Sequence, residues 1–367
     1  MRIAVNTRFL IKNKLSGLGH FTLEVMKHMV TGHPEDTFIF IFDRPYDASF
    51  IFASNIEAVV IPPPARASLL FAVWFEISIP SVLRRVRADV FLSPDNFLSL
   101  RTSVPTVLVI HDLAYIHTGR DIPFLQRLYY GYFMPRYARR ADHIATVSEA
   151  TKADIIRQFG IADKKISVTG LGLNEGFRLE DGPAREDYFV HLGTIQPRKN
   201  VVRVLRAFEI FKRKTGRPTR LLFIGGRGWK DKEFYSVLSG LSCRNDVEML
   251  GYRSNDEISY ILNRASALLC VSYFEGFGMP IIEAQQCGCP VITSDISSMP
   301  EASGGAALLV DPYDTSAIAR AMETIIADEI LREELIRSGL ENIRRFSWQK
   351  TSDSLYHLLQ KVSGRQP

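Results

Sequence analysis

The sequence predicts an α/β protein built from two facing, doubly wound domains, and three observations carry that reading. At 367 residues the chain is too long for one ordinary core and about right for two. In both halves, short β-branched apolar runs alternate with longer segments of helical period, the pattern of parallel sheets covered by helices on both faces. A polar, aperiodic stretch at 171–187, holding Asn174, Glu175, Gly176, Asp181, Gly182 and Pro183, separates the halves with loop chemistry.

Strands are expected in the first half at 3–6, 38–42, 59–61, 90–92, 107–110 and 144–147, with helices at 21–29, 125–137 and 149–159. The second half repeats the pattern, with strands at 188–192, 221–224, 247–250, 267–271, 291–293 and 307–310. Helices at 201–212, 256–264, 280–287 and 318–326 would cover them. The domains are placed at 1–175 and 186–347. Doubly wound sheets bind ligands at the carboxyl ends of their strands, so the chemistry is expected in a cleft between the domains.

Composition excludes several functions. The chain is 46% hydrophobic and 23% charged, with a net charge of only +5, far from the dense basic stripe that nucleic-acid binding requires. Arg84, Arg85, Arg87, Arg136, Arg139 and Arg140 form two basic clusters in the first half. The four cysteines, Cys243, Cys270, Cys287 and Cys289, read as packing residues of a reducing compartment rather than a zinc site or disulfide. The N-terminus reads directly as a strand with no signal region, so a cytoplasmic protein is expected. The longest apolar stretch is broken by Glu76 and Pro80 and is too short to span a bilayer.

The most informative segment follows the strand at 267–271: Ser272-Tyr273-Phe274-Glu275-Gly276-Phe277-Gly278-Met279-Pro280-Ile281-Ile282-Glu283-Ala284. Pro280 suits the first position of a helix, which would leave the amides of Phe277, Gly278 and Met279 at an anion-favouring helix end. Glu275 before the helix and Glu283 one turn into it border the same pocket. Carboxylates there would hold hydroxyls, of the sugar at Glu275 and of a ribose at Glu283. Either glutamate alone reads better as a dipole-complementing or loop acid; it is the two together that point to a ligand pocket.

The second constellation is His191-Leu192-Gly193-Thr194-Ile195-Gln196-Pro197-Arg198-Lys199-Asn200, between the first strand and first helix of the second domain. Adjacent Arg198 and Lys199 are sited to neutralise a diphosphate leaving group in place of a divalent cation. The other reading is a solvated basic pair. In the first half, Lys14-Leu15-Ser16-Gly17-Leu18-Gly19-His20 lacks the third glycine of a dinucleotide fingerprint. His111-Asp112 ends the strand at 107–110, where His111 could bond sugar hydroxyls or shuttle a proton.

The pair Glu275 and Glu283 resembles the E-x7-E signature of glycosyltransferase family 4, retaining enzymes of the two-domain glycosyltransferase B fold. The run Pro197-Arg198-Lys199-Asn200 resembles the family's P-R-K-N subgroup, which includes polysaccharide mannosyltransferases. Thr194 stands where many members carry a phosphate-binding arginine. The resemblance extends to Ile224-Gly225-Gly226, Gly251-Tyr252-Arg253, Pro300-Glu301 and Phe346-Ser347-Trp348, so it spans nearly the whole chain.

It implies a metal-independent, retaining hexosyltransferase needing no cofactor beyond its nucleotide diphosphate sugar, with mannose from GDP-mannose the leading donor. Glu275, Lys199, Arg198 and His111 would serve catalysis. Glu283, Phe277, Gly278, Met279, Gly225, Gly226, Tyr252 and Thr194 would bind the donor. Gly17 and Gly19 would face phosphates and acceptor from a glycine loop, and the final helix at 348–367 would return to the N-terminal domain. The acceptor would be a glycan or lipid-linked molecule. The aromatic and arginine-rich segment 62–87, with Arg66, Leu69, Leu70, Phe71, Trp74 and Phe75, reads either as an amphipathic helix on an anionic membrane or as a buried helix with a basic end. A nucleotide-sugar epimerase, a phosphorylase and an inactive scaffold are the competing readings.

Overall fold

The computed structural model describes residues 1–13, 15–65, 68–118, 122–182, 185–228 and 230–364, and the side chains of all of these save Ser68 and Leu69. Lys14, Arg66 and Pro183 of the readings above lie outside the described residues. The chain forms two compact units. The first comprises Met1–Ile116, Ile122–Gly172 and the segment from Phe346; the second comprises Leu173–Arg345 with a short segment from His117.

The first unit holds seven strands: β1 (Arg2–Asn6), β2 (Thr37–Phe42), β3 (Ile56–Val60), β4 (Val90–Ser93), β5 (Thr106–Ile110), β6 (His143–Thr146) and β7 (Ile166–Val168). All pair in parallel, in the order β3-β2-β1-β4-β5-β6-β7. Parallel strands are buried on both faces, which is why β1, β2 and β5 read as unbroken apolar runs. Edge strand β7 has only three residues, with Ile166 alone buried, and offers no comparable run.

The segment 62–87 belongs to the core of this unit. Trp74 and Phe75 are fully buried and Trp74 Nε1 donates to the Ile61 carbonyl at 3.1 Å. Ile79, Val82 and Leu83 pack into the same cluster as Ile39, Ile41 and Phe91. A wide π turn at Trp74–Ser78 accommodates Pro80, which lacks the N–H that a regular helix would bond to the carbonyl of Glu76. Arg84, Arg85 and Arg87 are left exposed. This is the buried helix with a basic end, and the membrane reading of its aromatic residues is corrected: they are committed to the core.

The helix Trp348–Val362 also belongs to the first unit. It buries Leu355 and Leu359, and Ser352 Oγ donates to the Val25 carbonyl at 3.2 Å.

The second unit holds β8 (Tyr188–Leu192), β9 (Arg220–Ile224), β10 (Val247–Gly251), β11 (Ala267–Cys270), β12 (Val291–Ser294) and β13 (Leu308–Val310), all parallel, in the order β10-β9-β8-β11-β12-β13. The helix Val201–Thr215 covers one face with Val204, Leu205, Phe208 and Phe211. The helix Glu329–Asn342, not anticipated above, buries only Leu335 and Gly339, so its apolar period is faint. No described helix is long and apolar enough to cross a membrane.

In each sheet the strand order reverses once, between β1 and β4 in the first and between β8 and β11 in the second. Chains leaving neighbouring strands in opposite directions open a crevice at such a point. The loops after β8 and β11 carry the two constellations singled out in the sequence.

Candidate active site

The turn after β8 is fixed by its backbone. Pro197–Lys199 makes one 3-10 turn and Asn200 ends it in the left-handed region, φ 58°. Asn200 Nδ2 donates to the carbonyls of Val271 at 3.0 Å and Pro312 at 2.8 Å, and the Tyr273 amide donates to the Arg198 carbonyl at 2.9 Å. Arg198 and Lys199 are thereby delivered beside the loop that carries Glu275.

Glu275 is buried and saturated. Arg198 Nη1 lies 2.7 Å from its Oε2, Lys199 Nζ 2.7 Å from its Oε1, and Ser272 Oγ donates to Oε1 at 2.7 Å. Ser297 and Ser298 both donate to the Glu275 carbonyl, at 2.7 and 2.9 Å. Burial alone would raise the Glu275 carboxyl, but Lys199 and Arg198 override it and hold it at about 2. Two cations against one carboxylate leave the cluster with one net positive charge. The sequence reading gave the cations to phosphate and treated the carboxylate as unpaired; the structure binds all three into one group.

The helix Met279–Gln286 starts behind this loop, with Gly278 at φ 108° as its cap and Pro280 at its second position rather than its first. Phe277 and Met279 flank the cap, and Phe277 is buried. Glu283 is half-buried on this helix, and burial pushes its carboxyl up to about 7 against the opposing effects of Asn174 and Lys199. Asn174 Oδ1 accepts from the Gly176 amide at 3.1 Å and from Asn255 Nδ2 at 3.3 Å. Its Nδ2 is therefore the atom left to donate to the Glu283 carboxylate.

The glycines around β8 and β9 permit close backbone approach. A Cβ on Gly225, at φ 136°, would stand 2.3 Å from the Gly193 carbonyl oxygen, and one on Gly226 would meet the Tyr252 ring at 2.5 Å. The remainder of Tyr252 is open, 80% exposed. Thr194 is half-buried, with its methyl near Gly228. His191 is buried, and burial and Lys199 lower its pKa to about 4, so the ring is neutral. Burial likewise pushes the Cys270 and Cys287 thiols up to about 11 and Cys289 to about 12, as inert core residues require.

The remaining expected residues lie in the first unit. His111 Nε2 donates to the Pro94 carbonyl at 2.8 Å, and burial lowers the pKa of the ring. Because a carbonyl only accepts, the proton sits on Nε2 and Nδ1 is the acceptor. That bond occupies Nε2, which leaves Nδ1 as the ring atom able to accept a hydrogen bond.

Gly17 and Gly19 do not form a loop. They occupy the first turn of the helix Gly17–Gly32, capped by Ser16 Oγ, which accepts from the Gly19 amide at 3.3 Å. Gly19 is required by packing, since a Cβ would stand 2.6 Å from the Phe9 carbonyl oxygen, whereas nothing lies within 4 Å of one on Gly17.

Several contributors were not read from the sequence. Asn174 passed as loop chemistry, and Ser272, Ser297 and Ser298 carry no spacing signal. Arg8 and Asp95, directly after β1 and β4 at the first unit's reversal, form a buried ion pair. The Arg8 guanidinium lies 4.4 Å over Phe9, 4.5 Å over Phe71 and 4.8 Å over Phe97.

Two family models match the chain, "Glycosyl transferases group 1" over residues 179–342 and "Glycosyltransferase Family 4" over residues 16–176. The O-antigen chain mannosyltransferase B of Escherichia coli is 27% identical over 92% of this chain and 94% of its own length. A D-inositol 3-phosphate glycosyltransferase of Rhodococcus erythropolis is 31% identical over 58% of this chain and 48% of its own. Among solved structures, the sucrose-phosphate synthase of Thermosynechococcus elongatus superposes with a TM-score of 0.79 at 15% identity, covering 99% of each chain. Anabaena HepE in complex with UDP and glucose superposes with a TM-score of 0.74 at 16% identity, covering 98% of this chain and 99% of its own.

Proposed function

Because the chain belongs to the group 1 glycosyltransferases of family 4 and has their two-domain glycosyltransferase B fold, we propose that it moves mannose from GDP-mannose to a glycan or lipid-linked acceptor, with retention and without a metal ion. The coarser assignment, a hexosyltransferase of polysaccharide biosynthesis using a nucleotide sugar, follows from the family and from its O-antigen mannosyltransferase relatives. The lean to mannose rests on those same relatives.

The observation that carries the mechanism is the cluster of Arg198, Lys199 and Glu275 at the strand-order reversal, with both cations at 2.7 Å and one positive charge in excess. When a diphosphate enters, Lys199 and Arg198 turn part of their bonding from Glu275 to the phosphate oxygens. As the bond between the sugar carbon and the leaving oxygen breaks, its electron pair goes to the diphosphate, where these cations stabilise it. Glu275, freed on one side and held ionised, accepts from sugar hydroxyls. The acceptor oxygen attacks the same face, and its proton passes to the departing phosphate oxygen. Glu283 takes the ribose hydroxyls, and Gly225, Gly226 and Tyr252 border the base.

The test is donor hydrolysis in EDTA, with the first-released sugar followed by proton NMR. Release of the α anomer from GDP-mannose supports retention without metal. Release of the β anomer, or hydrolysis only after magnesium is restored, contradicts it.

A further inference from the structure

His191 is the penultimate residue of β8 and is only 1% exposed. Its ring is held by Phe223, at 5.2 Å between centroids, and by Nδ1, which lies 3.1 Å from the Leu269 carbonyl. A carbonyl only accepts, so Nδ1 carries the proton and Nε2 of the neutral ring presents a bare lone pair. Nε2 is buried, and no described residue bonds to it. A buried acceptor without a donor is costly, and this one stands at the end of the strand that leads into the turn of Arg198 and Lys199.

Lys199 is the donor that shares its surroundings. A Cβ on Gly193 would stand 3.6 Å from Lys199 Nζ and 3.9 Å from His191 Nε2, so the two nitrogens border one small space that is open because Gly193 has no side chain. Lys199 Nζ meets Glu275 Oε1 at 2.7 Å, which uses one of the three N–H groups of an ammonium. A phosphate oxygen cannot answer Nε2, since both are acceptors. An ammonium can.

We propose that His191 is a positioning residue for Lys199: when a diphosphate enters, the ammonium moves past the Gly193 backbone, gives one N–H to the phosphate and a second to His191 Nε2, and keeps the third for Glu275. The inference rests on the donor site proposed above and adds what aims its lysine. Three acceptors around an ammonium fix its direction where one does not, and the set is complete only with the phosphate in place. The free protein carries an unmet lone pair that the complex satisfies, so the contact favours the bound state over the free one.

The test is a double-mutant cycle in GDP affinity, measured by calorimetry on the full chain in the unchanged protein, His191→Phe, Lys199→Ala and the pair. His191→Gln is the variant that keeps an acceptor at the place of Nε2, and thermal unfolding controls the fold. His191→Phe is expected to weaken GDP binding roughly 10-fold, His191→Gln to recover most of that loss, and His191→Phe to add nothing once Lys199 is alanine. In nitrogen NMR of the histidine-labelled protein, the Nε2 resonance should move upfield with saturating GDP and stay in place in Lys199→Ala. Three results overturn the proposal and leave the donor site standing: losses that add in the double variant, a His191→Gln no better than His191→Phe, or an Nε2 shift that survives Lys199→Ala and so belongs to water or a ligand hydroxyl. If none of GDP, UDP and ADP binds, the donor reading fails and this inference fails with it.

Discussion

Lys199 and Glu275 form a buried ion pair, Nζ to Oε1 at 2.7 Å, that ties the turn after β8 to the loop after β11. Removing one partner of a buried pair costs most when the other charge is left unanswered; here Arg198 still answers Glu275 when Lys199 is lost, whereas loss of Glu275 sets Lys199 and Arg198 against each other. Glu275→Ala is therefore expected to destabilise the chain by about 3 kcal/mol, Lys199→Ala by less, and Lys199→Ala/Glu275→Ala by less than the two single changes added together. Chemical denaturation of the three variants checks this. Transfer should fall by about 100-fold or more in Lys199→Ala, because the proposed mechanism gives the same ammonium to the leaving diphosphate.

Glu283 gives a pH dependence with a definite sign. With its carboxyl pushed up to about 7, it is largely neutral at pH 6 and ionised at pH 8. Ribose hydroxyls donate best to the ionised form, so nucleotide affinity should rise with pH through that window. Asn174 and, less strongly, Lys199 are the groups that oppose the effect of burial on it. Asn174→Ala removes a donor that favours the charged form, so the rise should move to higher pH, and Glu283→Gln should abolish it. Calorimetric titration at several pH values reads all three.

The two glycines of the helix Gly17–Gly32 should behave oppositely. Gly19→Ala forces a Cβ to within 2.6 Å of the Phe9 carbonyl and should cost about 1–3 kcal/mol. Gly17→Ala has open space and should leave stability unchanged or slightly higher. If Gly17 borders a ligand, Gly17→Ala loses transfer activity without losing stability, and thermal unfolding beside an activity measurement separates the two.

His111 should matter to transfer and not to donor nucleotide binding. With Nε2–H committed to Pro94, Nδ1 is the ring atom through which the proposed role would run. His111→Ala is expected to lower transfer by about 10-fold or more while the nucleotide Kd stays within twofold.

The alternation of buried parallel strands with helices was legible because such strands must be apolar on both faces. That rule marked β8, β9 and β11 and the loops after them. Arg198, Lys199, Glu275 and Glu283 were legible because a strand-loop-helix pattern fixes where charged residues emerge. The pairing of Arg198 and Lys199 with Glu275 was not, since it depends on Asn200 fastening one loop to another strand 71 residues away. Asn174 was hidden for the same reason, its partners lying on distant elements. The segment 62–87 stayed open between two readings because its composition is amphipathic, and composition does not say whether Trp74 and Phe75 face lipid or a core.

The central claim is a metal-free donor site built on Lys199, Arg198, Glu275 and Glu283. Calorimetric titration of the purified chain with GDP, UDP and ADP in EDTA tests it most directly, alongside Lys199→Ala and Glu283→Ala. The account predicts saturable binding of GDP over the other two, weakened by both changes. Binding of none, or binding that appears only with magnesium or is indifferent to both substitutions, would contradict it.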